Sequence, residues 1–315
     1  MVPSALDLLR PKPFRGDVVA AGVVVLTTLV GVVAVRFDQA WSAGAHLAYA
    51  LVAWAFVTAL AVLAPMEGDE PRAYQSVLYV SSIALFVAVV VRVGQLVGSD
   101  GVLSSAGTTT WVMAAFAAYA FAFAVQRNSA ACTLIGALTG GVAVLAAVQW
   151  IWDPSGVATA RWVLLALTVV YAFAAIGQRD RRLRHGVALI DAAGLAVLAI
   201  AASFAASALF FDAPEPITGV AWGWELLIVA AGFGLIAYSS VDRQPGPAYL
   251  GVLNLVAFTV ITSVGVSAGG ATLLGWPIAL ALAAGVLLVI GLRPTTPAPP
   301  PPDADAPEAP PLPLR

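Results

Sequence analysis

Apolar residues run in long blocks along this chain, and polar residues collect in short gaps between them. Ten blocks are long enough to cross a hydrocarbon core of about 30 Å as a helix: 17–35, 43–65, 73–97, 107–125, 129–152, 157–176, 187–211, 218–240, 247–268 and 271–291. Within a bilayer no water satisfies open backbone groups, so runs of this kind form helices. Barrel strands would instead alternate apolar and polar residues over short segments, and these runs do not. The sequence therefore predicts an all-α, polytopic transmembrane bundle. A segment 1–16 precedes it and a tail 292–315 follows. Most gaps are under ten residues, so any site must be built between the helices or at their mouths.

The gaps also predict an orientation. With the N-terminus in the cytoplasm, twelve of the fifteen Lys and Arg residues fall on the cytoplasmic side: Arg10, Lys12, Arg15, Arg72, Arg127, Arg179, Arg181, Arg182, Arg184, Arg243, Arg293 and Arg315. Arg36 alone lies in an outer loop, while Arg92 and Arg161 lie within spans. That bias follows the positive-inside rule and predicts a multi-pass cell-membrane protein with both termini inside. Eight of the nine tryptophans sit at or near outer span ends, and Trp54 is the exception. The first block follows a basic stretch, as a secretory signal does. It is long for a signal core and no A-x-A site follows, so it is expected to remain as a span.

Composition agrees: 61% hydrophobic, 10% charged, mean hydropathy +0.93. A five-plus-five division of the ten spans falls at the connection 153–156, one span before the basic loop 177–186. If the halves are repeats, an odd number of spans per half makes them inverted, an arrangement common in secondary transporters. Gly140-Gly141 and Gly275-Trp276-Pro277 interrupt the fifth span of each half, as Gly/Pro breaks do at some transport sites. Four G-x-x-x-G matches, at Gly94, Gly136, Gly219 and Gly265, carry little weight in a chain with 28 glycines. Thr259, Ser263 and Ser267 form one row on the ninth span, suited to interhelical hydrogen bonds. The Pro/Ala-rich tail with Asp303, Asp305 and Glu308 cannot bury a core. It reads as a disordered cytoplasmic segment, with a proline-recognition protein as its candidate partner.

Several chemistries are excluded. Lys12, the only lysine, precedes the first span, so neither a Schiff-base lysine within the bundle nor a P-loop can be built. His46 and His185 are predicted on opposite sides, which rules out a joint metal or haem site. Cys132, the only cysteine, rules out an intrachain disulfide and multi-cysteine clusters. No cofactor, metal or nucleic-acid partner is expected.

What chemistry remains lies in polar residues inside the spans. Arg92, Arg161, Glu225 and His46 sit roughly 5–10 Å inside the outer boundary, with Gln95 and Gln149 in the same layer. Charged groups at this depth face the bundle interior and pair, so Arg92, Arg161 and Glu225 are the candidates for one outward-facing polar cluster. The two arginines could alternatively snorkel to lipid phosphates. On the inner side, Asp191 is expected to pair with Arg184 of the basic loop. The architecture fits a small secondary transporter of the drug/metabolite exporter kind, acting on a small-molecule substrate. The alternatives are a non-transporting scaffold or sensor working through the 177–186 loop and the tail, and an intramembrane enzyme on a lipid-linked substrate. One glutamate and one histidine are thin equipment for catalysis, so no enzyme activity is expected.

Overall fold

In the computed structural model, residues 15–66, 68, 70–98, 105–209, 220–267 and 285 are described. They form nine long helices: α1 Gly16–Arg36, α2 Ala43–Leu63, α3 Ala73–Leu96, α4 Ala106–Gln126, α5 Ala130–Trp152, α6 Ala158–Arg179, α7 Leu183–Leu209, α8 Trp222–Asp242 and α9 Pro245–Ser267. Each is long and apolar enough to span a membrane, and no strand occurs among the described residues. The shortest have 21 residues, a length of about 32 Å. The nine correspond to the first nine predicted spans, shifted by a few residues at their ends. The predicted tenth span lies outside the described residues except for Gly285, and so does the tail.

Local chemistry sets several of these ends. Ser42, Ser105 and Ser129 each cap a helix, their hydroxyls accepting from the amides of Ala45, Thr108 and Cys132. Gln75 of α3 accepts from the Arg72 amide and donates to Pro65 O, which fastens the α2–α3 connection. Left-handed Asn128, Asp153 and Arg243 follow the C-terminal ends of α4, α5 and α8. Asp17 lies in the first turn of α1, where the helix dipole favours an acid.

Two helices act as central posts. α3 packs against α1, α2, α4 and α5, while α7 packs against α5, α6, α8 and α9, so α5 joins the two groups. The core around α3 includes Leu78, Tyr79, Ile83 and Leu85 together with Val57, Ala61, Ala120 and Phe123. At its centre Tyr119 of α4 stacks on Phe86, with ring centroids 4.3 Å apart. Its hydroxyl receives the Trp54 indole N–H at 3.1 Å and lies 3.1 and 2.9 Å from the hydroxyls of Thr58 and Ser82. Thr58 and Ser82 bond each other at 2.7 Å. This network ties α2, α3 and α4 together, and it explains why Trp54 departs from the interfacial position of the other tryptophans.

The glycine signals behave differently from expectation. α5 runs unbroken through Gly140 and Gly141. Gly141 instead admits Tyr171 of α6, since a Cβ there would lie 2.8 Å from the tyrosine oxygen. The α8 and α9 backbones approach closely, and a Cβ on Gly251 would come within 2.6 Å of Gly232 O. Neither of these glycines begins one of the four G-x-x-x-G matches.

Tyr119 and Tyr79 provide an internal contrast, because the buried Tyr79 hydroxyl has no hydrogen-bond partner among the described residues. Tyr119→Phe should cost about 1 kcal/mol in unfolding from detergent micelles, whereas Tyr79→Phe should be neutral or stabilising. Equal losses from the two changes would remove the Tyr119 network from its proposed role.

Candidate functional site

The polar residues of the Trp-rich end divide between two places. Arg92 of α3 is mostly buried and donates to Asp38 at 3.1 Å, to Gln95 Oε1 at 2.8 Å and to Ala34 O at 3.3 Å. It holds the α1–α2 connection against α3. Arg161 of α6 donates to Ser203 Oγ at 2.9 Å on α7 and lies 3.6 Å over the Phe204 ring. Glu225 is buried at the start of α8, beside Trp224, whose ring meets Trp162 at 5.1 Å and Phe204 at 6.2 Å. Arg161 and Trp224 therefore share the Phe204 ring, and Glu225 follows Trp224 in the first turn of α8. Arg92 does not join them, because α3 makes no backbone contact with α6 or α8 among the described residues.

The remaining candidates are locally engaged. His46 is buried, its Nε2 3.1 Å from Phe37 O and its ring beside Trp41. Gln149 donates to Asp153 at 2.9 Å, at the end of its own helix. Arg184 pairs with Glu70 of the α2–α3 connection at 2.6 Å, in place of the expected Asp191. Asp191 faces the start of α9 instead: a Cβ on Gly246 would lie 3.1 Å from its Oδ2, and its buried Oδ1 has no hydrogen-bond partner among the described residues. Of the predicted ninth-span row, Thr259 bonds back to Leu255 O, and the Ser263 and Ser267 side chains lie outside the described residues. Gly265-Val266-Ser267-Ala268-Gly269 spells G-x-S-x-G. However, Ser267 ends helix α9, so the strand-to-helix turn of a nucleophile elbow is not built around it.

A cavity of about 340 Å³ lies at the other end, among α4, α5, α6 and α7. Phe121, Val125, Ala137, Val170, Ala174 and Leu189 form its apolar walls. Thr133, Gln178, Arg182 and His185 supply the polar part, and no Asp or Glu lines it. His185 is a wall element: Nδ1 faces the Thr133 hydroxyl and Nε2 lies 2.9 Å from Asn128 Oδ1, so both ring nitrogens are used. Tyr171 donates to Ala137 O at 2.6 Å and pins α6 to α5 at the back of the cavity. That carbonyl sits one turn before Gly141, the glycine that leaves room for the tyrosine oxygen.

Sequence reading did not single out this cavity. The pairing of Thr133 with His185 spans 52 residues, and no local pattern announces it. A second cleft of about 430 Å³ opens at the opposite end of α6, lined by Trp162, Leu165, Trp222, Trp224 and Leu227 among others. Among the described residues no group of three or more His, Cys, Asp and Glu could hold a metal ion. Comparison with protein-family models, curated proteins and solved structures finds no match to this chain.

Because Arg92 and Arg161 act on helices that do not touch, their effects on stability should be additive. Arg92→Ala and Arg161→Ala combined should differ from the sum of the single changes by less than about 0.5 kcal/mol. A coupling above about 1 kcal/mol, read by unfolding in detergent, would place both arginines in one cluster after all.

Proposed function

We propose that the chain is a small secondary transporter in a cell membrane, with its arginine-rich end in the cytoplasm, loading solute at the α4–α7 cavity. The observation that carries this reading is the cavity's place and make-up. It lies between helices long and apolar enough to span a membrane, is apolar along α4 and α6 and polar at its arginine-rich mouth, and is bordered by hydrogen bonds that tie α6 and α7 to α5. A concave, mostly apolar site with a few placed polar groups is the usual form of a small-molecule site.

The packing of α6 supports the same reading. Ala175 is its only buried residue, and cavities flank its two ends. A helix that packs along α7 and leaves its other faces largely open suits an element that shifts between two arrangements. Arg161, anchored on Ser203, and Glu225, next to Trp224, would form the outer side of the path. The basic loop between α6 and α7 is engaged in the fold at Arg179 and Arg184, through Asp242 and Glu70. That engagement favours transport over a scaffold acting through a free loop.

The test is flux in proteoliposomes holding the full chain. A panel of fluorescent organic ions, labelled metabolites and lysophospholipids would be followed with and without an imposed pH gradient. At least one solute should cross faster than in protein-free liposomes, and Ala174→Trp, which fills the cavity from α6, should cut that rate tenfold or more while leaving helix content unchanged. Absence of accelerated flux for every solute, under both conditions, would overturn the proposal.

A further inference from the structure

The cavity has a chemical polarity that narrows its ligand. Four arginines lie on or beside the α6–α7 connection, and two of them are neutralised within the fold. Arg179 binds Asp242 at 2.6 Å, and Arg184 binds Glu70 at 2.6 Å. Arg182 and Arg181 are exposed and have no carboxylate partner among the described residues. Of those two, Arg182 lines the cavity, next to Gln178. The site therefore pairs one uncompensated guanidinium and one amide with an apolar trough.

The trough also has a definite length and direction. Val170, Ala174 and Gln178 follow one another at single-turn spacing on α6, so the wall from Val170 to Gln178 is about 12 Å long. That is close to the depth of one leaflet, about half of a 30 Å hydrocarbon core. Opposite it, α4 contributes Phe121 and Val125, and Val125 and Val170 remain well exposed at the rim. An opening between α4 and α6 thus faces sideways, where lipid tails are, and the polar group stands at the head-group level. His185 cannot compete for the ligand, since Thr133 and Asn128 already engage both of its ring nitrogens.

We propose that this cavity binds an anionic phospholipid of the inner leaflet, its phosphate held by Arg182 and Gln178 and one acyl chain laid along Val170 and Ala174 of α6. A guanidinium matches a phosphate in both charge and geometry. An apolar solute would leave that cation unpaired, and a soluble phosphate would leave the trough empty. The inference names the ligand class of the site on which the transport reading rests, yet binding stands or falls by its own measurement.

The experiment is native mass spectrometry of the full chain in detergent, titrated with phosphatidylglycerol or phosphatidylcholine of the same chain length. The unaltered protein should retain one phosphatidylglycerol in preference to phosphatidylcholine. Arg182→Gln should lower that preference about fivefold, the effect of one basic residue at a membrane surface. Arg181→Gln, which alters an equally exposed arginine outside the cavity lining, should leave the preference unchanged. Ala174→Trp should lose the bound lipid, and excess glycerol 3-phosphate should not displace it from the unaltered protein. Equal retention of the two lipids, equal loss from Arg181→Gln and Arg182→Gln, or displacement by glycerol 3-phosphate would each overturn the inference. Selective lipid binding without flux would sink the transport reading and leave this one standing, and flux of a solute without lipid selectivity would do the reverse.

Discussion

Inside a bilayer, helices gain nothing from hiding apolar surface from one another, because lipid is as apolar as they are. Association then depends on close packing and on hydrogen bonds between helices. Among the described residues several such bonds run between helices. Tyr119 joins α4 to α2 and α3. Tyr171 joins α6 to α5, and His185 joins α7 to Thr133 of α5 and to Asn128 just before it. Arg161 joins α6 to α7 at Ser203, and the buried Asn254 joins α9 to α7 through Gly194 O at 3.2 Å.

The α4–α7 cavity follows from where those bonds fall. α6 is pinned near its ends and middle, by Arg161 on Ser203, by Tyr171 on Ala137 and by Arg179 on Asp242. Between these points its small residues, such as Ala174, do not fill the space left by α4 and α7. The same pattern decides the charge at the cavity mouth. Two arginines of the basic connection are consumed by Asp242 and Glu70, and Arg182, over the cavity, has no carboxylate partner among the described residues.

How much of this was legible in one dimension depended on the range of each interaction. The nine described helices could be read because twenty or so apolar residues constrain a span whatever it packs against. Helix ends were legible where a local device sets them, as with Ser42, Ser105 and Ser129. Depth alone placed Arg92, Arg161 and Glu225 in one layer, but depth says nothing of position within the membrane plane, and Arg92 proved to be paired around Asp38. Nearness along the chain suggested Arg184 for Asp191, yet Arg184 reaches Glu70, over a hundred positions earlier. Gly141 was visible as an oddity and its meaning was not, since that meaning resides in Tyr171 on the next helix. The cavity needed four helices and could not be read from any of them.

The account rests most heavily on which side of the membrane the arginine-rich end faces. The chain suits thiol mapping, because its single cysteine, Cys132, is fully buried in the fold. Gln178→Cys, at the cavity mouth, and Trp222→Cys, at the start of α8, would each be exposed to a membrane-impermeant maleimide in intact cells and in inside-out vesicles. Labelling of Gln178→Cys only in inside-out vesicles, with labelling of Trp222→Cys only in intact cells, is the predicted result. Labelling of both from one side, or the reverse pattern, would contradict the orientation and with it the cytoplasmic cavity.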